Sequence, residues 1–170
     1  MAVGADLQVK QAERSYKDRL LTSPKCKMIL ENATLQPQMT WMPPVPLKTY
    51  LVEDNPTIRD NLIATLEELA SIDAVGTADN ENDGKDWLLN NPQKWDLAIL
   101  DLFLKQGSGL GVLAACKDRK PNQKIVVLSN YATTDIRKRC AQLGVDAVFD
   151  KSNEIEALID FCLQQGAALT

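Results

Sequence analysis

From Lys48 onward the chain alternates short unbroken apolar runs with longer stretches whose apolar residues recur every three or four positions. The runs Tyr50-Leu51-Val52, Leu97-Ala98-Ile99-Leu100, Ile125-Val126-Val127-Leu128 and Ala147-Val148-Phe149 lack polar alternation, the pattern of strands covered on both faces. A further short strand is expected near Ala74–Thr77. The periodic stretches read as helices. Asn55-Pro56 opens the first, with Asn as N-cap and Pro in the first turn; Ile58, Leu62, Ile63, Leu66 and Leu69 form its core-facing stripe. A second carries Trp87, Leu88 and Leu89 and stops at Asn91-Pro92, and a third runs from about Leu110 to Lys117. Thr133 or Thr134 starts a fourth that Gly144 closes, and the last carries Ile155, Leu158, Ile159 and Cys162 before Gly166. Five strand–helix units with short connections predict an α/β fold, a doubly wound parallel sheet with helices on both faces.

Residues 1–47 read differently. Ala5 to Leu21 has the spacing of a weakly amphipathic helix, with Leu7, Ala12, Tyr16 and Leu20 near one face. Cys26 to Leu35 carries no assignable pattern. Thr40-Trp41-Met42-Pro43-Pro44-Val45-Pro46 reads as an extended linker, because its three prolines forbid helix. The expected organisation is an N-terminal extension over 1–47 and one domain over 48–166, with no internal repeat.

Charge sharpens this division. The formal net charge is −4, but residues 1–47 carry six Lys/Arg against four Asp/Glu, which leaves a surplus of six negative charges in the remainder. An acidic domain argues against direct nucleic-acid binding and fits a cation site, although a solvated acidic surface is the commoner reason. No stretch resembles a secretory leader or a membrane span, so a cytoplasmic protein without membrane contact is expected. The cysteines, Cys26, Cys116, Cys140 and Cys162, are widely spaced and expected to be reduced, buried thiols. The chain has no histidine, which removes Ser-His and Cys-His nucleophiles and any phosphohistidine of its own.

The candidate chemistry lies where the strands end. Leu100 is followed by Asp101, Val52 by Glu53-Asp54, Leu128 by Ser129, and Phe149 by Asp150-Lys151. Parallel strands would bring these acids, a hydroxyl and an ammonium to the edge where open α/β sheets hold ligands. Glu53, Asp54 and Asp101 are hard oxygen ligands suited to Mg²⁺. Lys151 and Ser129 are placed to meet phosphoryl oxygens around a carboxylate nucleophile. Taken singly each is ordinary: a solvated strand end, a turn acid, a capping serine, a surface lysine. Gly107, Gly109 and Gly111 lack the lysine of a phosphate loop and read as loop and helix-start geometry.

In combination, Leu51-Val52-Glu53-Asp54-Asn55, Leu100-Asp101-Leu102, Gly107-Ser108-Gly109-Leu110, Ser129, Gly144-Val145-Asp146-Ala147 and Lys151 resemble bacterial response regulator receiver domains, over about Lys48 to Gln165. The resemblance implies a flavodoxin-like sheet of strand order 2-1-3-4-5. It implies that Asp101 takes a phosphoryl group from the phosphohistidine of a sensor histidine kinase or histidine phosphotransfer protein, forming an acyl phosphate in a two-component system or phosphorelay. Asp54, Asp101 and the Phe103 backbone carbonyl would ligate Mg²⁺ or Mn²⁺, with Glu53 acting through water. Lys151 would bridge to the phosphoryl group and Ser129 would turn toward it as the switch. The face of helix 4, strand 5 and helix 5 would then change its preference for a downstream protein. No enzymatic turnover is implied beyond self-phosphorylation and self-dephosphorylation.

Two positions depart from the family pattern. Val148 stands where an aromatic often couples to the strand-four hydroxyl, and Ser152 stands where proline often follows the lysine. The chain ends just after the fifth helix, so no DNA-binding output module is expected, and output is expected by protein contact or onward phosphotransfer. The extension is expected to be a docking or dimerisation arm, with a homodimer as one assembly, or to be unstructured. The rival readings are a receiver-fold adaptor that works without phosphorylation and a haloacid-dehalogenase-type phosphatase. The latter wants a second acid where Phe103 stands.

Overall fold

The computed structural model describes residues 10, 11, 14, 15 and 45–169. Lys10, Gln11, Arg14 and Ser15 are helical. The rest of the helix expected over Ala5–Leu21, Cys26 to Leu35 and the linker up to Pro44 lie outside the described residues.

Ten elements follow in strict alternation: β1 (Leu47–Val52), α1 (Pro56–Ala70), β2 (Ile72–Ala78), α2 (Glu81–Asn90), β3 (Leu97–Leu100), α3 (Gly109–Ala115), β4 (Lys124–Ser129), α4 (Thr134–Gln142), β5 (Ala147–Asp150) and α5 (Ile155–Ala167). The five strands form one parallel sheet in the order β2-β1-β3-β4-β5. This is the doubly wound fold and strand order expected.

Successive strand residues point to opposite faces, and here that splits the core in two. Leu51, Leu97, Ile99, Val126, Leu128 and Phe149 pack with Leu62 and Leu66 of α1 and Leu158 and Ile159 of α5. Tyr50, Val52, Ala98, Leu100, Ile125 and Val127 pack with Leu88 of α2, Val112 and Leu113 of α3 and Cys140 of α4. Both faces being covered explains the unbroken apolar runs. It also separates Val148, on the second face, from Phe149, which meets Phe161 edge-on on the first.

The helix starts follow local chemistry. Asn55 Oδ1 accepts the N–H groups of Thr57 and Ile58, and Pro56 occupies the first position of α1. Thr133 caps α4, and Gly144 beyond it adopts φ +80°, the left-handed turn a helix end commonly uses.

Two expectations are corrected. β2 extends beyond Ala74–Thr77 at both ends; it is a half-exposed edge strand whose polar and small residues hide its length. A register shift between Thr49 and Tyr50 sets Tyr50 opposite Gly76. There a Cβ would lie 2.9 Å from the tyrosine ring, which stacks on Trp87 at 4.2 Å. α3 spans Gly109–Ala115 rather than Leu110 to Lys117, because Ser108 caps it from one residue earlier. Of the apolar residues in α2, Leu88 is buried and Trp87 packs partly buried against the core, while Leu89 is exposed.

α4 is lightly packed, with Cys140 its single buried residue. Polar contacts hold it as well. The Arg137 guanidinium donates to the carbonyls of Ala132 (3.0 Å) and Val148 (2.5 Å) and to Glu154 Oε2 (2.6 Å).

Candidate functional site

Glu53, Asp101 and Lys151 each continue a strand by one residue and are pinned there by a ladder hydrogen bond. Glu53 N–H donates to the Ala78 carbonyl (2.9 Å), Asp101 N–H to that of Val52 (2.9 Å) and Lys151 N–H to that of Ser129 (3.0 Å). The strands thus deliver Glu53, Asp101 and Lys151 to one edge from three parts of the sequence.

Their side chains meet. Lys151 is 3% exposed and donates to Glu53 Oε2 at 2.5 Å and Asp101 Oδ2 at 2.8 Å. The other carboxylate oxygens take backbone amides: Glu53 Oε1 accepts from Asn55 and Asp101 Oδ1 from Phe103. Asp54 is half-buried, and its Oδ2 accepts the Lys105 N–H at 2.7 Å. One carboxylate oxygen from each of Glu53, Asp54 and Asp101 can be chosen so that all three lie within 4.8 Å of one another.

Charge in this cluster is unbalanced. Burial opposes the ammonium of Lys151, yet the nearby Asp101 and Glu53 outweigh it and hold the lysine pKa above its usual value. Burial pushes the Glu53 carboxyl above its usual value; Lys151 pulls it back only in part, and Asp101 adds to the rise. Two buried carboxylates share one ammonium while Asp54 waits at the rim. The donor set suits a small hard cation, which favours carboxylate oxygens and retains waters.

Ser129 is fully buried at the end of β4, and its Oγ accepts the Tyr131 N–H at 3.2 Å. That bond uses a lone pair and leaves the hydroxyl proton for another acceptor. Phe103 reaches the site through its backbone, while its ring, 56% exposed, meets Tyr131 edge-on at 5.6 Å. A cleft of about 600 Å³ opens beside Asp54 and Phe103, walled on its far side by Ile136 and Arg139.

The sequence did not reveal the amides of Asn55, Phe103 and Lys105, which orient the three acids and carry no side-chain signature. It also passed over Glu81, whose carboxylate accepts the Ser108 N–H at 2.8 Å. The glycine triplet 107, 109 and 111 was the available signal, because closely spaced glycines mark close approach.

The sequence pattern described as "Response regulator receiver domain" matches residues 50–162. The response regulator protein VraR of Staphylococcus saprophyticus is 28% identical over 109 residues, 64% of this chain and 51% of VraR. A DNA-binding response regulator of the LuxR family from Staphylococcus aureus superposes with a TM-score of 0.63 at 19% identity, covering 71% of this chain and 98% of that one. A Burkholderia pseudomallei response regulator, solved with a phosphorylated aspartic acid, calcium ion and citrate, gives a TM-score of 0.58 at 24% identity, covering 72% and 70%. The chain spans about half the length of curated relatives it matches, 53% and 51% for two of them. Among the described residues no helix is long and apolar enough to cross a membrane.

Proposed function

Because this chain belongs to the response regulator receiver domain family, we propose that Asp101 accepts a phosphoryl group from a histidine kinase or histidine phosphotransfer protein. The observation that carries this reading is Lys151, buried and shared between Asp101 and Glu53. A lysine that only decorated the surface would not bear the desolvation of that position.

In the reaction an Asp101 carboxylate oxygen attacks the phosphorus of the donor phosphohistidine. A P–O bond forms as the P–N bond breaks, and the electron pair leaves with the imidazole. Lys151 shifts its contact from the carboxylate to a phosphoryl oxygen, and Ser129 donates its hydroxyl proton to another. Asp101 is 8% exposed, which limits water access to the acyl phosphate. Glu53, Asp54, Asp101 and the Phe103 carbonyl are the groups that would hold Mg²⁺ or Mn²⁺, Glu53 through water. When bound, that cation supplies charge neutralisation for the phosphoryl oxygens.

The same reading assigns residues 1–47 to an arm and 48–166 to the receiver. Output passes through the α4–β5–α5 face to a protein partner, and the location is cytoplasmic, consistent with the free thiols of Cys116, Cys140 and Cys162. The phosphatase alternative lacks support, because its second acid is replaced by an exposed Phe103. The adaptor alternative draws on Val148. Intact-mass analysis after incubation with acetyl phosphate and Mg²⁺ decides between phosphoacceptor and adaptor. One added phosphoryl group in the native chain, absent from Asp101→Asn, supports the phosphoacceptor; an unmodified native chain with every donor tried, a kinase included, leaves the adaptor.

A further inference from the structure

The loop between β3 and α3 carries the amides that hold the site's acids. Phe103 N–H donates to Asp101 Oδ1 and Lys105 N–H to Asp54 Oδ2. Both bonds depend on where the loop sits. Its inner side rests on the sheet edge: Ser108 Oγ and Gly109 N–H both donate to the Leu102 carbonyl, and a Cβ at Gly109 would lie 2.2 Å from the Asp101 carbonyl oxygen. Its outer side rests on one residue of α2. Glu81 Oε2 accepts the Ser108 N–H at 2.8 Å, and Glu81 N–H donates to the Gln106 carbonyl at 3.1 Å.

The glycines show how closely that carboxylate fits. A Cβ on Gly107 would stand 2.4 Å from Glu81 Cβ, and one on Gly111 would stand 2.1 Å from Glu81 Oε1. Gly107 also has φ +85°, a left-handed conformation that side chains disfavour. Lys85, one helical turn on, donates to Oε1 at 3.4 Å and balances the charge. Glu81 therefore fills a slot made by two missing side chains and closes it with hydrogen bonds to both sides of Gly107.

We propose that Glu81 is a positioning residue for the phosphoacceptor site: by clamping the β3–α3 loop it sets the Lys105 and Phe103 backbone against Asp54 and Asp101, and so tunes cation affinity. This rests on the phosphoacceptor reading for its consequence, but the clamp itself is a property of the metal-free chain. Partners that orient metal ligands typically contribute 10- to 100-fold in affinity, and Glu81 acts one step further out, so about tenfold is expected.

The test uses the full chain as native, Glu81→Ala and Glu81→Gln. Amide hydrogen exchange without metal reads the clamp directly, and Mg²⁺ titration by calorimetry reads its consequence. Glu81→Ala should speed exchange of the Lys105 and Ser108 amides several-fold and weaken Mg²⁺ binding about tenfold. Glu81→Gln keeps an acceptor oxygen for Ser108 and should recover most of both, which loss of general stability would not do. Unchanged Lys105 exchange in Glu81→Ala overturns the proposal. So does unchanged Mg²⁺ affinity in a native chain that binds the ion. Failure of the native chain to bind Mg²⁺, with the exchange effect present, would instead count against the cation site while sustaining the clamp.

Discussion

Replacing Lys151 by methionine keeps most of the side-chain volume and removes the ammonium that Glu53 and Asp101 share at 2.5 and 2.8 Å. With both acids ionised, two buried carboxylates are left facing each other without a counter-charge, and breaking such a buried pair costs about 3–5 kcal/mol. The chain can escape part of this by protonating one acid. Glu53 is the one to take the proton, because burial already raises its pKa and Lys151 is its chief restraint. In the variant the folded pKa of Glu53 rises further, so between the unfolded value and that folded value the native state binds more protons than the unfolded state. Stability then falls as pH rises, by up to about 1.4 kcal/mol per pH unit for one proton. The destabilisation relative to the native chain should therefore be smaller at pH 5.5 than at pH 7.5, by at most about 2.8 kcal/mol over the two units. Urea unfolding followed by the fluorescence of buried Trp95 measures it. Adding Glu53→Gln to Lys151→Met should restore most of the loss and flatten the pH dependence. A destabilisation that is the same at both pH values, or absent at the higher one, would refute the charge argument.

Three further substitutions probe the scaffold. Asn55→Ala removes the acceptor for the Thr57 and Ile58 amides and should cost about 1 kcal/mol in urea unfolding. Gly109→Ala and Gly166→Ala should move stability in opposite directions. The first drives a Cβ to 2.2 Å from the Asp101 carbonyl oxygen, where no rotamer can relieve it, so a loss of about 1–3 kcal/mol or more is expected, with impaired phosphoryl uptake. The second meets nothing within 4 Å inside α5 and should gain about 0.5–1 kcal/mol. Thermal melts that rank these two the other way would contradict the packing around Asp101.

The sheet was legible because its strands are covered on both faces, which leaves runs such as Leu97-Ala98-Ile99-Leu100 with no polar residue to interrupt them. The edge strand β2 shows less of its length in the sequence for the converse reason: Asp73, Gly76 and Thr77 belong to a strand with a solvated side. The residues that end strands were readable, since a parallel sheet converts chain position into location. Their environments were not. Glu53 and Asp54 are neighbours in sequence, yet one is buried against Lys151 and the other lies at the rim held by a backbone amide. Which amide faces which carboxylate depends on loop conformation, and Lys105 or Phe103 as letters carry no trace of it. Arg137 was invisible for a similar reason: two of its acceptors are backbone carbonyls.

The anchoring of α4 and α5 differs in kind, and β5 lies between them. α5 is set by Ile155, Leu158, Ile159 and Cys162, all buried, so displacing it opens gaps in a close-packed interior. α4 is set by buried Cys140, by partly buried Ile136 and by the hydrogen bonds of Arg137, which water can replace. A protein that touches both helices thus meets one stiff wall and one compliant wall. The stiff wall supplies a fixed reference, against which any displacement of the compliant one would register.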